Sequence, residues 1–342
     1  MLVMDVKRAL KDIQAGRPAS VYLCYGPEKY KMREFIQILT DSLMGPEDRE
    51  FAVSKFDLSE MPLSSALDDA ETLPFMVPKK LVIAKNAMFF TGAKENTKLE
   101  HNMDRLTDYL KSPAEHTVVV FTVDADKLDE RKKIVKALKD MEAAVPFLSL
   151  SAEELTDWVA KQANTLGFTF SGGAADQLIL YTGGNLQSLS AELEKISLYV
   201  GAEGVASSDV IDQLVARSTE QNVFILIEDI VNVRLERAFV ILEELLKQRE
   251  EPIKIASLIA RQFRIMLQVK ELGKQGYSQQ QMASQIGLHP FAVKVAEGQA
   301  RKYEGQKLSR IMGELADLDL QMKTGKIDKV LGLELFLLRL AA

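Results

Sequence analysis

The chain has 342 residues, of which 47% are hydrophobic and 27% charged, and its net charge is −6. That length suits two or three domains, and the acidic balance argues against a protein coated in nucleic acid while leaving room for a local basic surface. A single cysteine, Cys24, rules out an internal disulfide framework and fits a reducing compartment, no apolar run reaches the roughly 18 residues of a membrane span, and the amphipathic start MLVMDVKRALKDIQ lacks the apolar core of a secretory signal. A cytoplasmic protein without membrane contact is the expectation.

The first informative stretch is VYLCYGPEKYKMREF, residues 21–35. Val21–Tyr25 is a short run of β-formers, Gly26-Pro27 is a turn, and from Glu28 the apolar positions take helical spacing. A strand, a glycine turn and a helix form the setting of a phosphate-gripping loop. That loop needs GxxxxGK[ST], in which backbone N–H groups cradle phosphate, the lysine reaches the terminal phosphates and the hydroxyl holds magnesium. Here one glycine stands without a GK pair, so neither ATP nor any other cofactor is expected. Cys24 reads as a small buried hydrophobe within the strand.

Further strands are expected at Phe51–Phe56, Leu81–Ala84, Thr117–Val123 and Val145–Leu148. Amphipathic patterns lie between them, such as Asp129–Asp140 with Ile134, Val135 and Leu138 on one face. Continuous apolar strands alternating with helices imply a parallel sheet covered on both sides, an α/β fold. Between two of these elements lies AETLPFMVPKK, residues 70–80. Pro74 and Pro78 discourage helix and favour an extended path, in which Leu73 and Phe75 point the same way. Two readings stand: a short apolar anchor for a partner's pocket, or two side chains folded into their own core. Asp124-Ala125-Asp126, after the fourth strand, could hold magnesium in a nucleotide hydrolase. Without a phosphate loop it reads better as a solvated helix-capping turn.

From Ser151 the pattern becomes helical. Ser151 and Glu154 form a capping box ahead of Leu155, Trp158, Val159 and Leu166, with Gly167 closing the helix. Helices are expected at 173–182 and 185–200, then a short one capped by Ser207 or Ser208, making a bundle without strands. From about 217 to the end every segment carries apolar residues three and four apart, so this part is all-α. Residues 277–304 have the outline of a helix-turn-helix, with Met282–Ile286, Gly287 and Pro290–Ala300 as its parts. Phe291, Ala292 and Val293 are too apolar for the start of a base-reading helix. Residues 252–311 hold ten Lys and Arg against three Glu, a local charge of +7, either a solvated face or a contact for an acidic partner or nucleic-acid backbone. His101, His116 and His289 lie far apart with no ligand partners at metal spacing, and read as surface or capping residues.

Taken in order, VYLCYGPEKYKMREF, TLPFMVPKKLVIAKNA, VVVFTVDADKLDERKKIVKALKD, WVAKQANTLGF, YTGGNLQSLSAELEKISLYVG and ADLDLQMKTGKIDKVLGLELFLLRL resemble the delta subunits of the bacterial DNA polymerase III clamp loader, from about residue 18 onward. The resemblance implies a degenerate AAA+-type domain that binds no ATP (1–150), a small helical lid (151–216) and a helical collar (217–342). It implies an accessory part of a DNA polymerase (nucleotidyltransferase) holoenzyme with no catalytic or metal site of its own. The expected partners are the sliding clamp, the tau/gamma and delta-prime subunits through the collar, and primer–template DNA within the assembly. The clamp-binding tip carries over to Leu73, Pro74, Phe75 and Met76. DNA contact would fall to Lys127, Arg131, Lys132 and Lys133. The readings set against it are a helix-turn-helix DNA-binding regulator and an active AAA+ ATPase with a divergent phosphate loop.

Overall fold

A computed structural model of the protein describes residues 5–75, 77–93 and 99–341. The chain divides into two compact units, residues 1–149 and 150–342. The first unit runs α1 (Val6–Gln14), β1 (Val21–Tyr25), α2 (Lys29–Leu43), α3 (Arg49–Ala52), β2 (Val53–Asp57), α4 (Leu63–Glu71), β3 (Lys80–Lys85), α5 (Met103–Lys111), β4 (Thr117–Val123), α6 (Lys133–Asp140) and β5 (Ala144–Pro146). The five strands form one sheet in the order β2-β3-β4-β1-β5. Every neighbouring pair is parallel, with Val21 opposite Val119 and Val53 opposite Leu81.

Both faces of the sheet are covered, which is why its strands read as unbroken apolar runs. Leu23, Val82 and Phe121 face a core completed by Leu67 of α4, Leu106 of α5 and Val135 of α6. On the other face, Tyr22, Cys24 and Val120 meet Ile13 of α1 and Phe35 and Leu39 of α2. Phe35 bridges Tyr22 and Phe147 edge-on, with ring centroids 5.4 and 5.5 Å away. Burial pushes the Cys24 thiol up, so it remains a protonated apolar filler.

The expected α/β architecture is present, with three boundary corrections. The strand expected from Phe51 begins at Val53, because Phe51 and Ala52 finish the helical turn α3 and the ladder with β3 starts opposite Leu81. The helix expected from Asp129 begins at Lys133. Asp129 instead accepts from the backbone N–H and guanidinium of Arg131, and Lys132 is extended (φ −71°, ψ 129°). The last strand covers Ala144–Pro146 rather than Val145–Leu148, the stretch paired to Leu23–Tyr25.

The second unit contains α7 (Ala152–Thr165), β6 (Thr169–Phe170), α8 (Ala174–Thr182), α9 (Leu186–Val200), β7 (Val205–Ala206) and α10 (Ser208–Leu214). It continues with α11 (Thr219–Val231), α12 (Leu235–Lys247), α13 (Pro252–Lys274), α14 (Gln279–Ile286), α15 (Pro290–Arg301), α16 (Gly305–Lys323) and α17 (Lys329–Ala341). The capping box of α7 forms as expected: Glu154 N–H donates to Ser151 and Ser151 N–H donates to the Glu154 carboxylate. The expectation of a strandless bundle is corrected by β6 and β7, a two-residue parallel ladder pairing Thr169 with Val205 and Phe170 with Ala206. So short a ladder leaves no alternation in the sequence to read.

Candidate functional site

Two ends of the sheet in the first unit carry the candidate residues. At the end where strands finish, β1 runs into Gly26. Its φ is +132°, and a Cβ there would lie 2.1 Å from the Phe147 carbonyl oxygen, so only glycine fits. The turn is closed by its own chain. Gly26 N–H donates to Val123 O (3.2 Å), Glu28 N–H to Phe147 O (3.0 Å) and Lys29 N–H to Pro27 O (2.9 Å). Pro27 has no N–H at all, and the Gly26, Glu28 and Lys29 amides already have partners within the chain.

The N-terminus of α2 is also occupied by charge. Glu28 is its N-cap, and burial pushes this carboxyl above its ordinary range, opposed by the Tyr30 backbone amide and by Lys31 and Arg33. Asp124, the magnesium candidate, instead forms an ion pair with Lys29 at 2.5 Å. Among the described residues no group of carboxylates, histidines or cysteines is arranged to hold a metal.

At the end where strands begin, α4 stops and the chain turns through the two-proline segment into β3. The α4 terminus is fastened by side chains from other elements rather than by a glycine cap. Lys80, only 8% exposed at its side chain, donates to the Asp69 carbonyl at 2.8 Å and its carboxylate at 2.7 Å. Thr117 of β4 donates to the buried Ala70 carbonyl at 2.7 Å. Arg105 of α5 reaches Glu71 at 2.8 Å and Asp68 at 3.3 Å, and holds the Glu71 carboxyl below its ordinary range. Thr72 is extended (φ −70°, ψ 131°), and Pro74 disfavours helical geometry at Leu73.

On this fastened end, Leu73 is 76% exposed and Phe75 71%. Pro74 between them is half-buried, and Met76 lies outside the described residues. The alternative that both side chains fold into their own core is therefore overturned: α4 contributes Leu63, Ala66, Leu67 and Ala70 to that core, while Leu73 and Phe75 stay outside it. Sequence reasoning singled out the two exposed side chains but missed Lys80, Thr117 and Arg105. These come from distant positions and carry no local signal.

The four basic candidates divide. Arg131 is forked onto Asp129 at 2.9 Å, and Lys132 donates to the Phe89 carbonyl at 2.7 Å. Lys127 and Lys133 are exposed. In the second unit, the helix-turn-helix outline is real, with Gly287 left-handed at φ 74° between α14 and α15. Phe291 and Val293 are buried, however, and Val293 packs against Ile265 and Val269 of α13, so the N-terminal face of α15 is not available to read bases. Much of the basic segment is answered internally: Lys254 pairs with Glu250, Arg261 with Glu220 and Arg301 with Glu297, each at 2.6 to 2.8 Å. His289 caps α15 by accepting from Phe291 N–H at 3.2 Å, and His101 accepts from Leu63 N–H at 3.2 Å at the start of α4.

Comparison with known proteins shows what the whole chain is similar to. The family described as DNA polymerase III, delta subunit, matches residues 22–147, and the family described as the C-terminal domain of that delta subunit matches 220–340. The chain is 44% identical over 339 residues to DNA polymerase III subunit delta of Bacillus subtilis (strain 168), covering 99% of this chain and 97% of that one. It is 21% identical over 270 residues to a probable DNA polymerase III subunit delta of Aquifex aeolicus (strain VF5), covering 78% and 75%. The solved Bacillus subtilis DNA clamp loader delta protein superposes with a TM-score of 0.75 at 44% identity, over 98% of this chain and 99% of that structure.

Proposed function

The chain belongs to the DNA polymerase III delta-subunit family, and from that premise we propose that it grips a ring-shaped sliding clamp through Leu73 and Phe75 and holds the ring open for loading onto primed DNA. It is a clamp-loader subunit with an AAA+-type sheet, accessory to the polymerase. The observation that carries the gripping assignment is the pairing of two large, exposed apolar side chains with a helix end fixed from three sides.

Ring opening follows from differential affinity. A subunit that bound open and closed rings equally would shift nothing, however tightly it bound. Leu73 and Phe75 supply binding energy at one point on the ring. The fastened α4 gives that contact a fixed direction, so the grip favours the ring geometry that fits both the pocket and the rest of the loader. Pro74 sets the path between the anchors, and Met76 shares in clamp binding. Residues 1–150 contact the clamp without an ATP site of their own, 151–216 form the lid, and 217–342 the collar that meets the tau/gamma and delta-prime subunits. ATP bound by those neighbours controls whether the tip is presented. Primer–template DNA within the assembly meets the side of the first unit that carries Lys127, Arg131, Lys132 and Lys133.

The test is the variant Leu73→Ala/Phe75→Ala, with clamp affinity and thermal melting measured side by side. Losing an aromatic anchor removes about 2–4 kcal/mol of binding, so affinity should fall tens- to hundreds-fold. The melting temperature should stay within a degree or so, since neither side chain is buried. Normal clamp affinity, or a sharply lowered melting temperature, overturns the assignment.

A further inference from the structure

We propose that Asp68 is the charged rim of the tip, and that the ring-shaped partner presents a cationic side chain, a lysine or arginine, beside the pocket that takes Leu73 and Phe75. This rests on the clamp-gripping reading and names the chemistry of the surface that the tip meets.

The end of α4 is charged against its own dipole. Its last turn reads Asp68-Asp69-Ala70-Glu71, three carboxylates with no basic residue among them. A helix C-terminus carries partial negative charge, so cations are favourable there and carboxylates are not. Two cations from other elements correct the conflict. Lys80 of β3 takes Asp69 at 2.7 Å, and Arg105 of α5 forks onto Glu71. Asp68 is left over. It shares the one Arg105 nitrogen that already bonds Glu71, at the longer distance of 3.3 Å, and its side chain is 68% exposed. Three carboxylates against two cations leave one negative charge at this helix end.

The chain's own bonds join Asp68 to the tip. The Asp68 carbonyl accepts from the Thr72 N–H at 3.2 Å and from the Thr72 hydroxyl at 2.8 Å, and Thr72 is the residue before Leu73. The exposed carboxylate therefore stands about one helical turn behind the first anchor, on backbone fixed relative to it. On the β3 side of the tip, Lys79 directs its ammonium to the Glu115 carbonyl. A carboxylate that α4 is better off without, beside two apolar side chains that the core does not use, gives the surface an apolar centre and a polar rim. Rim charges steer encounter and reject wrong partners more than they add affinity. A negative rim selects a pocket edged by cations and repels one edged by carboxylates.

The experiment measures the association rate of purified sliding clamp with the full chain at low and high salt. The chains are the parent, Asp68→Asn, Asp68→Glu, Glu34→Gln and Leu73→Ala/Phe75→Ala, each with a thermal melt. Glu34 is exposed on α2, which covers the opposite face of the sheet from α4, so its variant controls for net charge. Asp68→Asn should slow association about two- to fivefold at low salt, and the deficit should close as salt screens the pair. Asp68→Glu and Glu34→Gln should keep the parent's rate. The melting temperature of Asp68→Asn should hold or rise, because a carboxylate has left a helix C-terminus. An unchanged rate in Asp68→Asn, alongside lost binding in Leu73→Ala/Phe75→Ala, overturns the inference and leaves the tip reading intact. A faster rate does the same, since it places carboxylates on the partner's rim. Equal slowing in Glu34→Gln assigns the effect to net charge and overturns it as well. So does a lowered melting temperature in Asp68→Asn, which assigns the carboxylate to bracing α4 through Arg105. Unchanged affinity in Leu73→Ala/Phe75→Ala removes the tip itself, and its rim with it.

Discussion

The two ends of the five-stranded sheet have been put to opposite uses. Where the strands finish, polar groups are answered by the chain itself: Gly26 and Glu28 amides go to Val123 and Phe147 carbonyls, Asp124 goes to Lys29, and Asp57 accepts from Ser59 and Asn86. Where the strands begin, polar groups are also answered, but by bracing α4, and the apolar side chains are left outside. At that end the named amides and carboxylates already have partners within the chain. A braced end with exposed Leu and Phe has binding energy in reserve. The glycine turn after β1 has the outline of a nucleotide loop, and the β1–β5 junction alone is enough to require its glycine, since a Cβ there would meet the Phe147 carbonyl.

The comparison breaks most easily at Gly26. If its role is to let the chain pass the Phe147 carbonyl, Gly26→Ala must strain the backbone at φ +132° and force a contact of 2.1 Å. Together, the strain and overpacking should destabilise the fold by about 3–5 kcal/mol, read as a lowered urea midpoint. A fold of unchanged stability would mean that the turn is loose and its closure has been overstated. The contrast with Leu73→Ala/Phe75→Ala is direct: there the loss falls on binding and folding is spared.

The next effect lies in the brace. Lys80→Met removes the cation that satisfies the Asp69 carbonyl and carboxylate. Asp69 keeps some access to water at 27% side-chain exposure, which moderates the penalty. A loss of about 1–3 kcal/mol of stability is expected. Hydrogen exchange should rise at the C-terminal turn of α4 more than elsewhere in the sheet, and clamp affinity should fall by less than in the double tip variant. If exchange rises uniformly, Lys80 supports the whole sheet and not the tip in particular.

How much of this could be read in advance depends on whether the cause is local. The strands Val21–Tyr25 and Thr117–Val123 were legible to the residue, since burial on both faces makes each an unbroken apolar run bounded by turns. The tip was legible as a segment because two prolines exclude helix. Its exposure was not, because an apolar pair looks the same inside and outside a core. The fault at Phe51 has the same origin: an aromatic beside Ala52 and Val53 reads as strand, and only the register with Leu81 shows that pairing starts two residues later. The missing GK pair was visible in the sequence. The self-closure by Val123 and Phe147 needed two distant strands to be brought together. Lys80, Thr117 and Arg105 were illegible for the same reason, as each acts on a helix far from it in sequence.

The smallest expected effect is the most specific to the closed end. Glu28 sits where an anion would bind, at the start of α2, yet burial raises its pKa above the ordinary 4.5. A carboxyl whose folded pKa is raised binds its proton more tightly in the native state than in the unfolded chain. Stability from this group is therefore greatest below the ordinary value and declines as pH rises from 4.5 through the raised native pKa, above which the penalty is constant. Glu28→Gln removes the titrating charge and keeps the shape. The variant should melt above the parent at pH 7 and near it at pH 4, with a shallower dependence between. The Tyr30 amide, Lys31 and Arg33 oppose the burial effect, which is why the gain should be small. A parent that instead grew more stable as pH rose across this window, with the slope lost in Glu28→Gln, would mean that the carboxylate is held by its partners rather than disfavoured by burial. The strand-finishing end would then be a working anion site already filled by Glu28, not one that has been closed.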